Sequence, residues 1–274
     1  MRLAVEFVST GGHRRDAENA EVNAEKILLK SPRQRDLKVE RMEGIAAARA
    51  LVAKYYPGCL AALLFGSVAR GEARPNSDLD ILILTADEIP FYRKSFRDFG
   101  WFIEVYVGSQ NFSEEKIAQP HQSHNASFLT SWVEGVILKD QENFARSLQE
   151  KAIAIFEQGP DKLTQAEIDQ YRYVITDWLD DLVDSKSYEE ALFIAYELVA
   201  QTSRLLLASN RAWSGERKWL FRALQRSDDP MATQLIQGME HFYRTAEKDR
   251  LIEVVNAILE QVGGKLYEGF SRVG

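Results

Sequence analysis

Cysteine is nearly absent from this chain of 274 residues, which contains Cys59 alone. A single cysteine cannot form a disulfide within the chain, so disulfides are excluded as a source of stability. Apolar residues such as Leu60 and Ala61 follow Cys59, and we therefore expect a buried structural thiol. The simplest compartment for such a chain is the reducing cytoplasm.

Long hydrophobic runs are also absent. No apolar run approaches the roughly 18 residues expected of a membrane span. The opening segment, MRLAVEFV, is too short for the hydrophobic region of a signal peptide, and Glu6 interrupts it. The sequence therefore predicts neither a signal peptide nor a membrane-spanning segment.

Positive charge is in deficit, with 34 Lys and Arg residues against 41 Asp and Glu residues and a formal net charge of −7. A dedicated DNA or RNA binder normally carries a net basic surface, so nucleic acid is not expected as a partner. The acidic balance is compatible with an enzyme that acts on small or cationic molecules.

Histidine is scarce, at four residues. His121 and His124 lie close together after Pro120, but a zinc site needs more ligands and the chain offers no cysteine pair. We therefore expect His121 and His124 to lie in a solvated loop.

One segment does carry a strong chemical pattern. An apolar strand ends at Phe65, a Gly66-Ser67 turn leads into a short helix, and a second apolar strand opens with Asp78 and Asp80. Alternate residues of a strand share a face, so the two carboxylates project together. Paired carboxylates repel each other and suit a cation such as Mg²⁺, while a Gly-Ser turn suits phosphate oxygens. The pattern indicates nucleotide chemistry.

This pattern, G-S-x-x-R-G followed by S-D-L-D-I, resembles the nucleotidyltransferases of the DNA polymerase beta superfamily. Within that superfamily the chain looks like the two-domain bacterial members, which are the minimal and the antibiotic-modifying (kanamycin-type) nucleotidyltransferases. The resemblance implies Mg²⁺ as cofactor and ATP or another NTP as co-substrate. It implies transfer of AMP to a hydroxyl of a small acceptor, such as an aminoglycoside-like antibiotic. The implied catalytic and metal-binding residues are Asp78, Asp80 and Glu104, and the implied nucleotide contacts are Gly66, Ser67, Arg70, Ser77 and Lys218.

Three of these assignments have a second interpretation. Glu104 is the one acid in a strand-like run, and alone it would indicate a solvated edge strand; the upstream aspartates favour a third metal ligand. Arg70 neutralises phosphate or pairs with an acid of its loop. Lys218 contributes to nucleotide binding or lies in water, with Trp213 and Trp219 as core residues.

The chain divides into a predicted N-terminal extension at residues 1–35, a nucleotidyltransferase domain at 36–158 and a helical bundle at 159–274, with a boundary at Gly159-Pro160. The predicted fold class is α/β (α+β), with a small mixed sheet, followed by an α-helical bundle. The predicted elements of the first domain are a helix over 39–56, strands over 60–65, 79–84 and 102–107, a charged loop with a short helix between the last two, and a final element over 132–138.

The second half shows helical periodicity with two predicted capping boxes, Thr164 with Glu167 and Ser187 with Glu190. Three further helices are expected. The first starts near Glu216, the second spans 231–242, and the third ends at Gly263-Gly264.

Two charged clusters allow a solvated or a functional interpretation. The basic cluster consists of Lys30, Arg33, Arg35, Lys38 and Arg41, and a solvated helix face explains it. The acidic cluster consists of Asp177, Asp180, Asp181 and Asp184 at helical spacing. Like charges at this spacing destabilise a helix, so the acidic cluster either lies in water or lines the cleft and attracts a cationic acceptor.

Two other functions stay open at this point: an antitoxin-like enzyme that transfers AMP to a protein, and a non-catalytic nucleotide-binding module. A ribonuclease is disfavoured, because His241 has no arginine at the Arg-x4-6-His spacing of related toxins. The sequence does not decide the acceptor, the NTP, the general base or the oligomeric state, and a homodimer remains open.

Overall fold

The computed structural model describes residues 41–118 and 124–271. The predicted extension over residues 1–35 lies outside the described residues, as do His121 and the four members of the basic cluster that precede Arg41.

A five-stranded sheet organises the first half of the described chain, in the order β3-β4-β2-β1-β5. Its strands are β1 (Ala61–Phe65), β2 (Leu79–Thr85), β3 (Tyr92–Asp98), β4 (Trp101–Ser109) and β5 (Val136–Asp140). The pair β2/β4 is parallel, and the other three pairs are antiparallel. The small mixed sheet predicted from the sequence is confirmed.

Each face of the sheet packs against helices, because successive apolar residues of a strand point to opposite faces and make both faces apolar. Leu79 and Ile81 pack on the face covered by α1 (Gly44–Tyr55), and Leu82 and Leu84 pack on the other face. The helices that follow along this half are α2 (Gly66–Ala69), α3 (Gln110–Ala118), α4 (Ser127–Val133) and α5 (Phe144–Gln158).

The second half of the described chain is helical and has its own hydrophobic core. It contains α6 (Gln165–Asp184), α7 (Tyr188–Ser209), α8 (Lys218–Arg226), α9 (Pro230–Thr245) and α10 (Asp249–Glu260). The Thr164–Glu167 capping box is present in full, and Ser187 accepts the predicted N-cap bond from the N–H of Glu190. The helical region predicted after the sheet is therefore confirmed.

Three elements differ from the sequence prediction. The charged segment before Trp101 is the edge strand β3, where a helix and loop were expected, because an edge strand with an exposed face tolerates charge. Beyond the expected last element, α5 continues the first half with Ala145, Leu148 and Ala152 buried at helical spacing. The first helix starts at Gly44, after an N-cap by Glu43, and so later than predicted.

Among the described residues, α7 alone is long and apolar enough to cross a membrane, with a mean hydropathy of 1.3 in its most apolar window. In this structure 61% of that window is buried inside the protein. The core helix of a folded domain passes the same test, so α7 is weak evidence for a span.

Candidate active site

A cleft of about 500 Å³ lies between the sheet and the helical half. The end of β1, the turn into α2 and the start of β2 form one side, and the segment entering α8 forms the other. Residues that line the cleft include Ser67, Asp78, Asp80, Glu134, Lys218 and Trp219.

Three carboxylates converge beside this cleft. Asp80 and Glu104 are in register on the parallel strands β2 and β4, so their side chains share a face of the sheet. One carboxylate oxygen from each of Asp78, Asp80 and Glu104 lies within 4.8 Å of the other two. The structure thus brings together the three acids selected from the sequence.

Glu104 is held by two neighbours that the sequence analysis missed. Arg93, from the edge strand β3, forms a salt bridge with Oε2 of Glu104. The hydroxyl of Tyr106 donates to the same oxygen at 3.1 Å. Neither bond uses Oε1, and Glu104 is only 9% exposed, so the interpretation as a solvated edge residue is wrong.

Burial, and after it the negative charges of Asp78 and Glu104, raise the pKa of Asp80 to about 7. Arg93 and Lys218 act in the opposite direction. A buried carboxylate beside two others is costly to ionise, and a bound divalent cation would relieve that cost.

Gly66 lies against Asp80 in a conformation that other residues rarely adopt. Its φ is +80°, and a Cβ at this position would lie 2.5 Å from Oδ2 of Asp80. Glycine is therefore required both by the backbone and by the close approach of the carboxylate.

The two predicted serines have different surroundings. The Ser67 hydroxyl donates to Oγ of Ser77 at 2.9 Å, and Ser67 lines the cleft. Oγ of Ser77 also accepts from the backbone N–H of Arg74 at 2.9 Å. Ser77 fixes the loop before Asp78, and its nucleotide contact stays a prediction.

Arg70 pairs with acids, which is one of the two interpretations that the sequence allowed. Its guanidinium donates to Glu72 and Glu134 at 3.0 Å each and lies 4.8 Å from the ring centre of Trp219. Glu134 also accepts from Arg226 of α8 at 3.0 Å. These contacts connect the sheet half to α8.

The basic and aromatic residues of the helical half also reach the cleft. Lys218 opens α8, is exposed and lines the cleft. Trp213 and Trp219 are half-buried in the cleft lining, so neither is a fully enclosed core residue. This placement agrees with the predicted nucleotide contact of Lys218 but does not test it.

The acidic cluster on α6 does not line the cleft, so that prediction is wrong. Asp177, Asp181 and Asp184 are exposed, and none of them lies in the cleft lining. Asp180 pairs with Lys265 at 2.9 Å. The buried face of α6 packs into the helical core, which directs these aspartates to solvent.

His124 is not in a solvated loop, contrary to the sequence expectation. It is 6% exposed, and its Nε2 lies 2.8 Å from the carbonyl oxygen of Asp161. Its own carbonyl accepts from the N–H of Ser214 at 2.8 Å. His124 thus fixes the chain before α4 to the helical half, and within the described residues it belongs to no potential metal-binding group.

The mixed sheet thus presents an acidic triad directly beside a Gly-Ser turn. Residues 48–184, half of the chain, match the family model for the nucleotidyltransferase domain, and the chain belongs to this family. The match continues through α6, beyond the boundary predicted at Gly159-Pro160.

The chain is similar to a nucleotidyltransferase-like protein from Exiguobacterium sibiricum 255-15, with a TM-score of 0.45 and 13% sequence identity. That alignment covers 80% of this chain and 73% of the crystal structure's chain. No curated protein matches this chain.

Proposed function

We propose that this protein is a divalent-metal-dependent nucleotidyltransferase that moves a nucleoside monophosphate, most simply AMP from ATP, to a hydroxyl of a small-molecule acceptor. The observation that carries the proposal is the carboxylate triad, with an oxygen of each acid within 4.8 Å of the others. The triad adjoins a cleft that also contains Ser67 and Lys218.

The triad suits Mg²⁺ because every donor is a carboxylate oxygen. Asp78, Asp80 and Glu104 would hold the ion, and the pKa of Asp80 is raised by burial and by the repulsion from its neighbours, both of which an ion would offset. When bound, divalent cations would lower the pKa of the attacking hydroxyl and neutralise charge on the phosphates.

The reaction forms a bond between the acceptor oxygen and the α-phosphorus, breaks the bond from that phosphorus to the pyrophosphate oxygen, and releases the proton of the acceptor hydroxyl. Lys218 would balance the charge of the triphosphate, and the Ser67 hydroxyl would contact a phosphate oxygen. Arg93 and Tyr106 both bond Oε2 of Glu104, so Oε1 is the oxygen offered to a metal ion. Positioning and charge balance therefore supply most of the catalysis.

The acceptor is proposed as a small molecule because the cleft is bounded on both sides. Serine hydroxyls from α4 and the indoles of Trp213 and Trp219 also line it. Among the described lining residues the acids are the two triad aspartates and Glu134, and Glu134 is already paired with Arg70 and Arg226. We therefore propose no charge preference for the acceptor.

A pyrophosphate-release assay tests this function, with each of the four NTPs, Mg²⁺ and a panel of hydroxylated acceptors that includes aminoglycosides. Asp80→Asn should abolish release, and the matched control Asp87→Asn, on the exposed loop after the same strand, should retain it.

Calorimetric titration with Mg²⁺-ATP accompanies the assay. Tight binding without release for any acceptor would contradict transfer to a small molecule and favour a binding module. Absence of both binding and release with every NTP would overturn the proposal.

A further inference from the structure

We propose that Arg41 is a positioning residue for Asp78, acting through the loop that delivers this carboxylate to the triad. The consequence of this positioning for metal binding rests on the proposed function. Arg41 does not touch the cleft, and its role is to hold the backbone of residues 74–77.

The Arg41 guanidinium binds three carbonyl oxygens of the loop. It donates to the carbonyl oxygens of Arg74 at 3.4 Å, Pro75 at 3.1 Å and Ser77 at 2.9 Å. The guanidinium carbon also lies 3.3 Å from the ring centre of Trp101. Five fixed donors on a planar group make arginine suited to several carbonyls at once, which lysine cannot match.

The backbone beside Arg41 is itself anchored. The N–H of Met42 donates to the carbonyl of Phe99 at 3.3 Å, and the carbonyl of Met42 accepts from Nε1 of Trp101 at 2.8 Å. Trp101 is 5% exposed and starts β4, the strand that carries Glu104. Arg41 therefore connects the loop of one triad acid to the strand of another.

The loop needs such support, because burial alone does not order it. Residues 71–76 are all exposed. The carbonyl bonded at the shortest distance is that of Ser77, directly before Asp78, and Oγ of Ser77 pairs with Ser67. Loss of the guanidinium would release the segment that orients both Asp78 and Ser67.

This role differs from the sequence interpretation of Arg41 as a member of a solvated helix face. Arg41 precedes α1 and is half-buried. Its partners are backbone oxygens more than thirty residues away, and no local pattern of charge indicates them.

The experiment compares Arg41→Lys with Arg49→Lys, a matched control in which the guanidinium also donates to a backbone carbonyl, that of Leu138 at 3.2 Å. In the metal-free protein, hydrogen exchange over residues 72–78 should accelerate in Arg41→Lys and stay unchanged in Arg49→Lys. The Mn²⁺ concentration for half-maximal ATP binding should rise about tenfold in Arg41→Lys, as for other groups that orient metal ligands, and less than twofold in the control.

Two results would overturn the proposal: unchanged exchange over residues 72–78 in both Arg41→Lys and Arg41→Ala, or equal effects of Arg41→Lys and Arg49→Lys on metal dependence. If wild type shows no Mn²⁺-dependent ATP binding, the proposed function fails, and the exchange measurement still decides whether Arg41 orders the loop.

Discussion

The backbone of Gly66 lies directly against the carboxylate of Asp80 in the candidate site. Gly66→Ala should strain the backbone at φ +80° and place a methyl group 2.5 Å from Oδ2 of Asp80. We expect destabilisation of about 1–3 kcal/mol together with loss of Mg²⁺-ATP binding. Calorimetric titration and chemical unfolding measure the two effects.

Gly71→Ala is the control, since φ is +73° there but nothing lies within 4 Å of the new methyl group. It should lower stability without weakening ligand binding. Equal loss of binding in both variants would show that backbone strain, and not contact with Asp80, is responsible.

Asp80 makes the metal-free protein sensitive to pH. Its pKa is about 7 in the folded state, against an ordinary value of 3.8, so the folded state binds a proton more tightly than the unfolded state. The free energy of unfolding should therefore fall as pH rises from about 4 to 7, by at most about 1.4 kcal/mol per pH unit. Above that range this contribution levels off.

Asp80→Asn should remove this slope, and Asp87→Asn should keep it, because Asp87 is exposed. Chemical unfolding with EDTA present, at each pH, measures the difference. An unchanged slope in Asp80→Asn would assign the titration to another group.

The aspartate pair could be predicted from the sequence because its signal is local: Asp78 and Asp80 lie two residues apart at the start of an apolar run. Glu104 alone would indicate a solvated edge strand, and it was selected because the upstream aspartates and the family resemblance favour a third metal ligand. Arg93 and Arg41 could not be found in this way, since their partners depend on which strands and loops become neighbours. The contact of Tyr106 with Glu104 could have been predicted, because Tyr106 lies two residues after Glu104 on the same strand and thus on the same face.

The elements of this fold differ in how clearly the sequence marks them. The helices of the second half show periodicity and caps: the Thr164–Glu167 box is confirmed, and Ser187 forms the predicted N-cap bond with the N–H of Glu190 but not the full box. The edge strand β3 carries three basic residues and one acid in seven positions, and its identity depends on pairing with β4. Composition alone therefore indicated a loop.

The Thr164 cap should stabilise α6 measurably. Thr164→Ala removes the acceptor for the N–H of Glu167, at 3.3 Å, and should cost about 1 kcal/mol of stability while Mg²⁺-ATP binding stays unchanged. Thr233→Ala, at an exposed position inside α9, is the control and should be neutral or slightly stabilising. A neutral Thr164→Ala would show that packing alone fixes the start of α6.

Across the whole molecule, ion pairs connect the two halves at the cleft. Glu134 accepts from Arg70 and from Arg226 of α8. Two guanidiniums lie near the ring of Trp219, with Arg70 at 4.8 Å and Arg222 at 4.7 Å from its centre. This network, and not an acidic wall from α6, supplies the charged residues at this side of the cleft.

Glu134→Gln should therefore lower stability by about 1–2 kcal/mol, less at high salt, since these side chains are only partly screened by solvent. Glu240→Gln, which breaks the exposed pair with Arg244, should change stability by less than about 0.5 kcal/mol. Denaturant unfolding at low and at high salt measures the loss of stability in each variant. Equal losses in Glu134→Gln and Glu240→Gln would contradict a special role of Glu134.

The most direct test of the central claim is anomalous diffraction from crystals soaked with Mn²⁺ and a non-hydrolysable ATP analogue. We predict an anomalous peak between Asp78, Asp80 and Glu104, about 2.2 Å from an oxygen of each acid, with the triphosphate toward Ser67 and Lys218. A peak elsewhere, or a nucleotide bound outside this cleft with the triad empty, would contradict the account.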